Sequence, residues 1–186
     1  QRRLQRLDTP SPGQFQASDL QQFLHDEYMP RLEETVSWCK SRLESLGLPL
    51  DGELTRPERT LSPSDFGFHN ALRKADSELA FVDFEYFGWD DPVKLISDFL
   101  WHPGFSLTTQ QQQKWKEGCL QIFKDDTGLP ERLEYGFPVY GLRWCLILLN
   151  AFLRDETVEK RQQQLQKAHI FLSQVLNFLP KCTRQK

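Results

Sequence analysis

Leu20, Leu24, Tyr28, Leu32 and Val36 recur at every fourth position, and Leu43 and Leu46 continue the stripe. That repeat predicts one long amphipathic helix, of about 25 residues or more. Ser18-Asp19-Leu20-Gln21 reads as a capping box at its start, Pro30 as a possible kink, and Gly47 with Pro49 as its stop. The helical period then disappears. Residues 49–60 read as a polar connection, and 61–72 mix Pro63, Gly67 and Asn70 with apolar residues. Leu79-Ala80-Phe81-Val82 is a short apolar run that follows the polar turn Lys74-Ala75-Asp76-Ser77, which predicts a small β-hairpin. From Asp91-Pro92 the pattern is helical again, with Asp91 as cap and Pro92 at the first helical position. Three more helices are predicted, over about 108–124, 138–153 and 156–179. The last of these points Leu165, Ala168, Phe171 or Leu172, Val175 and Phe178 at a core. The glutamine runs 110–113 and 162–164 read as solvated faces. Residues 1–17, with Pro10, Pro12 and Gly13, read as a tail or linker, and no internal repeat is present.

The fold class is therefore mainly α with a small β-hairpin. At 186 residues the chain fits one domain able to bury a real core. Its net charge of −3 and lack of a basic block give no footprint for nucleic acid or an anionic membrane. Cys39, Cys119, Cys145 and Cys182 show neither CxxC nor Cys/His ligand spacing. Most fall in apolar helical patterns, which predicts free thiols, no disulfide framework and a cytoplasmic setting. The longest apolar stretch, 144–149 and on to 153, is too short to cross a bilayer, and no signal peptide opens the chain. The chain begins at Gln1 and its one methionine is Met29, so a fragment of a longer protein is expected.

The interruption between the helices holds the candidate chemistry, because loops on a helical scaffold are where function concentrates. Ser62-Pro63-Ser64-Asp65-Phe66-Gly67-Phe68-His69-Asn70 is followed by Phe81-Val82-Asp83-Phe84-Glu85-Tyr86. Phosphoryl transfer needs one carboxylate to orient a hydroxyl and accept its proton, and hard oxygen ligands to hold Mg²⁺ against nucleotide phosphates. An Asp, an Asn five residues later and a second Asp at a strand end supply these in that order. Asp65 is the candidate catalytic residue, and Asn70 and Asp83 the candidate metal and cofactor ligands. Phe66, Phe68, Phe81, Val82 and Phe84 are expected to fix the loop and exclude water, leaving Asp83 partly buried. The bland alternatives are a turn residue for Asp65 and Asn70 and a strand terminator for Asp83.

These residues resemble the aminoglycoside phosphotransferase and choline kinase family, whose pattern is His-x-Asp-x-x-x-x-Asn followed by an Ile-Asp-Phe-like triplet. Asp65 and Asn70 match the first motif and Val82-Asp83-Phe84 the second. Asp83-Phe84-Glu85-Tyr86 with Gly88 is similar to the corresponding stretch of choline and ethanolamine kinases, and 143–150 to a C-terminal helix of the bacterial enzymes. The resemblance spans roughly residues 60–153. It implies the C-terminal lobe of a protein-kinase-like fold at 18–186, with a catalytic loop at 61–73 and a metal-binding strand end at 79–86. It also implies an ATP-dependent kinase of a small-molecule hydroxyl that uses Mg²⁺. The family's N-terminal nucleotide lobe has no counterpart here, since no Gly-rich loop precedes Asp65; it is expected to pack on this chain, which alone would be inactive. Two departures stand out. Pro63 replaces the family His that braces the loop, and Leu95 stands where a helix Asp usually ties it down, with Asp98 one turn later on the same face.

His69 reads as a loop-packing or surface residue, and His25, His102 and His169 show no metal-ligand spacing. Glu85 is a candidate for a supporting or substrate-facing role. Tyr86, Phe87 and Trp89 are candidates for contact with a cationic amine, although plain packing is favoured. The rival readings are a pseudokinase-like binding module and a helical interaction domain whose Asp/Asn pattern is accidental.

Overall fold

The computed structural model describes residues 2–8 and 17–179. The first long helix is interrupted rather than continuous. It comprises α2 (Ala17–Gln22), a π-helical segment (Phe23–Tyr28) and α3 (Met29–Ser45), preceded by the short α1 (Arg2–Asp8). The π segment ends just before Pro30, and the Met29 N–H donates to Leu24 O, five residues back. A proline cannot donate to the preceding turn, so the register loosens there. Leu20, Leu24 and Tyr28 are buried as the stripe predicts. Val36, however, is 38% exposed, and Thr35 and Cys39 take the buried face instead. A strict four-residue step overshoots the 3.6-residue turn, and a seven-residue step from Tyr28 restores the face. Ser18 lies inside α2 and is not its cap. Leu46 closes α3, and Gly47 follows with φ +66°, the left-handed stop that glycine adopts freely.

The chain divides into two compact units. One draws on Gln1–Leu46 and Gly141–Lys186. Within it Leu7, Phe23, Leu24, Tyr28, Leu142, Cys145, Leu149, Ala168 and Val175 are buried. The Tyr28 hydroxyl donates to Leu142 O at 3.2 Å, and the Phe23 ring meets His169 edge-on at 4.5 Å. Part of the stretch read as a tail, Arg2–Asp8, is thus helical, with Leu7 in the core; Pro10, Pro12 and Gly13 lie outside the described residues, as does Cys182. Cys39, Cys119 and Cys145 are buried. Burial pushes the Cys39 and Cys119 thiols up to about 11 and the Cys145 thiol up to about 12, out of the nucleophilic range. In α7 (Val158–Leu176) the predicted Leu165, Ala168, Phe171, Leu172 and Val175 are all buried. Phe178 is 53% exposed because the helix has already ended, and Leu179 is buried in its place.

The second unit is Gly47–Tyr140. It contains a short 3-10 turn (Arg56–Glu58) and two antiparallel strand pairs. β2 (Ala71–Arg73) pairs with β3 (Leu79–Phe81), which is the predicted hairpin. β1 (Thr60–Ser62) pairs with β4 (Gly88–Asp90), a ladder across the whole loop region that short-range pattern reading missed. Then come α4 (Pro92–Trp101), α5 (Thr109–Ile122) and the start of α6 (Leu129–Leu148). Asp91 caps α4, accepting from the Val93 N–H at 2.9 Å. Val93, Ile96, Cys119, Leu129 and Leu133 form this unit's core, with Trp115 and Phe137 packed against them.

Helix α6 starts at Leu129, well before the expected position near 138. Pro138 sits inside it, fully buried. Pro130 occupies its first turn, where a missing N–H costs nothing, so Pro130 is the start signal and Pro138 is tolerated by packing. A 3-10 turn (Leu149–Leu153) extends it. The resulting run Leu129–Leu153 has 25 residues and holds an 18-residue window of mean hydropathy 1.4, which is long and apolar enough by those two measures to cross a membrane. This corrects the shorter estimate from sequence. A core helix meets the same two criteria, and Leu142, Cys145 and Leu149 are buried here to 1% or less.

Candidate functional site

The loop that carries Asp65 is built from a buried serine. Ser62 ends β1 with no exposed surface, and its Oγ accepts the Ser64 N–H at 3.2 Å. The Asp65 N–H donates to Pro63 O at 2.8 Å, closing a three-residue turn around Ser64. Ser64 has φ +63°, a left-handed conformation that costs a non-glycine residue on the order of 1 kcal/mol. Strain of this kind persists only where the surroundings impose it. Phe66, next in line, supplies that imposition. Its ring lies 4.9 Å from Phe81, 6.0 Å from Phe99 and 5.8 Å, stacked, from Trp115. The loop is therefore pinned to β3, α4 and α5 at once.

Asn70 closes the loop. Its Nδ2 donates to Asp65 O at 2.9 Å, its N–H to Gly67 O at 3.1 Å, and its own carbonyl accepts the Val82 N–H at 2.9 Å. One residue thus ties Asp65 to the residue immediately before Asp83. With Nδ2 engaged, the amide turns Oδ1, a neutral oxygen acceptor, away from that bond.

Asp83 differs from expectation. It is exposed, not partly buried, and has φ +64°. Its supposed apolar shield is open as well, with Phe68 at 56%, Phe81 at 40%, Val82 at 39% and Phe84 at 50% exposure. Among the described residues β2 and β3 form a two-stranded ribbon, too small a sheet to bury the side chains on both of its faces. Only Phe66 among those flanking aromatics is turned well inward. Glu85, Tyr86, Phe87 and Trp89 are exposed too.

His69, read from sequence as a loop-packing or surface residue, packs beside Asp65, and His102, for which sequence offered no site role, stacks on the His69 ring. His69 Nε2 is 3.2 Å from Asp65 Oδ1, and the two imidazole rings stack at 4.2 Å with an 8° interplanar angle. One ligand atom from each of Asp65, His69 and His102 lies within 4.8 Å of the others, a grouping compatible with a metal ion, and Asp83 is not part of it. Burial lowers the His102 pKa, with His69 adding to the effect while Asp65 and Asp98 oppose it. No sequence spacing could have linked His102 to the loop, since it arrives from the far end of α4 by tertiary packing.

Asp98 is buried, and its carboxylate is 3.5 Å from Lys94 Nζ, which also reaches Asp90 at 3.0 Å. Leu95 is half-buried on the same helix. A cleft of about 340 Å³ opens beside the loop, lined by Phe68, Phe99, Leu107, Gln111, Lys114 and Trp115 among others. Its walls are apolar apart from Gln111 and Lys114. Behind the site, Arg132 bonds Asp126 through both terminal nitrogens and lies 3.4 Å from Asp91 Oδ1. Burial works against its charge, but Asp126 and Asp91 outweigh burial and hold the guanidinium protonated.

The fold and site define a mainly helical protein with two small antiparallel strand pairs and an Asp/Asn loop supported by aromatic packing. Comparison with family models, with curated proteins and with solved structures finds no match.

Proposed function

We propose that this chain is the helical lobe of an ATP-dependent phosphotransferase acting on a hydroxyl group of a small molecule. The observation that carries the reading is the double tie made by Asn70, to Asp65 through its side chain and to Val82 through its carbonyl. Those bonds join the two motif segments, which flank the β2–β3 hairpin, next to the residues the chemistry requires. Asp65 accepts the proton of the attacking hydroxyl and orients it. Asn70 Oδ1 and the exposed Asp83 carboxylate suit a hard, oxygen-seeking cation, and would hold Mg²⁺. When bound, that ion supplies charge neutralisation for the nucleotide phosphates. The exposed apolar side chains Leu61, Phe81, Val82, Phe84, Phe87 and Trp89 support a nucleotide-binding lobe packing on this chain. Three buried thiols support a reducing, cytoplasmic setting.

The test is ATP turnover by the complete gene product with Mg²⁺ and a panel of sugars, choline-like amines and amino-alcohols, beside its Asp65→Ala variant. Alcohol-dependent release of ADP that vanishes in the variant supports the reading. Equal turnover in both removes Asp65 from the chemistry. A second reading, a binding module of pseudokinase type, is favoured by Pro63 and Leu95 at the two departures from the family pattern. It predicts Mg²⁺-dependent ATP binding with no turnover on any alcohol.

A further inference from the structure

We propose that His69 and His102 act as a stacked pair that positions the Asp65 carboxylate, bracing the loop from four residues after its acid. This rests on the reading of Asp65 as the group that meets the hydroxyl. A carboxylate can only accept, so a His69 that positions Asp65 must carry its hydrogen on Nε2, the atom 3.2 Å from Asp65 Oδ1. His69 is held in that pose from two sides. A Cβ on Gly67 would lie 2.7 Å from the His69 ring, so glycine is what lets the imidazole fold back over the loop. The opposite face of the ring lies parallel to His102 at 4.2 Å.

His102 is itself anchored. The Gly104 N–H donates to its Nδ1 at 3.0 Å, and Phe105 stacks on the ring at 5.0 Å with a 16° interplanar angle. An Nδ1 that accepts leaves the hydrogen of the neutral ring on Nε2. The charged and titratable groups facing the pair are Asp65 on the loop and Asp98 on α4. The same assignment explains why the cluster is a brace rather than a ready metal site. In the braced arrangement His69 Nε2 serves Asp65 and His102 Nδ1 already accepts from the Gly104 N–H, so a metal would compete with both. Both side chains of the Asp65–His69 pair keep considerable solvent exposure, at 46% and 32%, so what the contact provides is orientation rather than a strong ion pair.

Ring ¹⁵N and carboxyl ¹³C spectra of the full, labelled chain test this without any substrate. The expected signatures are an Nε2–H tautomer for both His69 and His102. Asp65→Ala turns His69 into a mixture of tautomers. His69→Ala moves the Asp65 carboxyl signal, and His69→Gln, whose amide N–H reaches the same place, restores it. His102→Phe preserves the His69 signature through stacking, whereas His102→Ala blurs it. An Nδ1–H tautomer at His69, or an Asp65 carboxyl signal indifferent to both His69 variants, overturns the proposal. So does saturable, stoichiometric binding of Zn²⁺ that shifts both rings together, which would assign the cluster to a metal. Circular dichroism on each variant separates these effects from unfolding. If the signatures appear but the complete protein neither binds nor turns over ATP, the brace stands and the phosphotransferase reading falls; turnover without the signatures has the reverse meaning.

Discussion

The two acidic segments of the candidate site are built in opposite ways. The Asp65 loop is over-determined. A fully buried serine, a three-residue turn, the Asn70 amide, the His69 ring and the Phe66 anchor all restrain it. The Asp83 segment is under-determined, with Asp83, Phe84, Glu85, Tyr86 and Phe87 all exposed. Both carry a non-glycine residue in the left-handed region, Ser64 and Asp83, but only the first is surrounded by contacts that impose it. The difference suits two tasks. A group that must aim at a reacting hydroxyl gains from being held before the substrate arrives. A metal ligand can complete its ordering when the ion and the nucleotide bind, since binding itself supplies the free energy.

Substitutions can break this contrast. The largest effect expected is Asp65→Ala in the complete protein, which should lower turnover by on the order of 100- to 10,000-fold while the circular dichroism spectrum stays unchanged. Asp83→Ala should act chiefly on the Mg²⁺ concentration needed for ATP binding, read by titration calorimetry. Equal effects of the two on metal binding would erase the distinction drawn here.

Next in size is Arg132→Ala. It leaves the Asp126 carboxylate, whose side chain is 5% exposed, without its cation, and should cost about 3 kcal/mol in urea denaturation. The loss undermines Asp91, the cap that starts α4 directly after the Asp83 segment. Phe66→Ala should cost about 2 kcal/mol, less than a fully buried phenylalanine because the ring is only half-buried. Phe84→Ala, with a ring 50% exposed, should cost well under half of that. A reversal of that order would mean the open segment is the better packed of the two.

The pH dependence is smaller and has a definite sign. Because the His102 pKa is lowered from its ordinary 6.5, the folded state binds this proton less readily than the unfolded chain. The stability at stake is fully present above pH 6.5 and is lost as the pH falls from there through the lower pKa of the folded state. The melting temperature should drop on that limb, and His102→Phe should flatten it. Glu58 contributes at lower pH. Hydrogen bonds from the Thr55 side chain and backbone hold its carboxyl below the ordinary 4.5, so its share disappears only under more acid conditions. The smallest effect is Ser64→Gly, expected to stabilise by roughly 0.5 kcal/mol as left-handed strain is relieved against glycine's entropy cost. Unchanged stability would show that the surrounding bonds already offset the strain.

How far the sequence reached can be argued residue by residue. Asp91 and Pro92 announced α4, Gly47 the end of α3, the turn 74–77 the β2–β3 hairpin, and the α7 stripe its buried face. Each of these depends on neighbours within a turn or two, where capping, φ preference and periodicity act. The Asp65/Asn70/Asp83 pattern was legible for the same reason, as fixed spacing along one short stretch. What the sequence could not decide were relations set by distant partners. The β1–β4 ladder joins residues on either side of the site, His102 reaches the loop from α4, and Asp83 lies exposed just past a two-stranded ribbon. Pro138 sat inside a helix because packing outweighed the bond it removes. Local chemistry determines which elements form and which residues stand as candidates for the chemistry; burial, register and encounter between remote side chains are properties of the assembled core, and only the tertiary structure decides them.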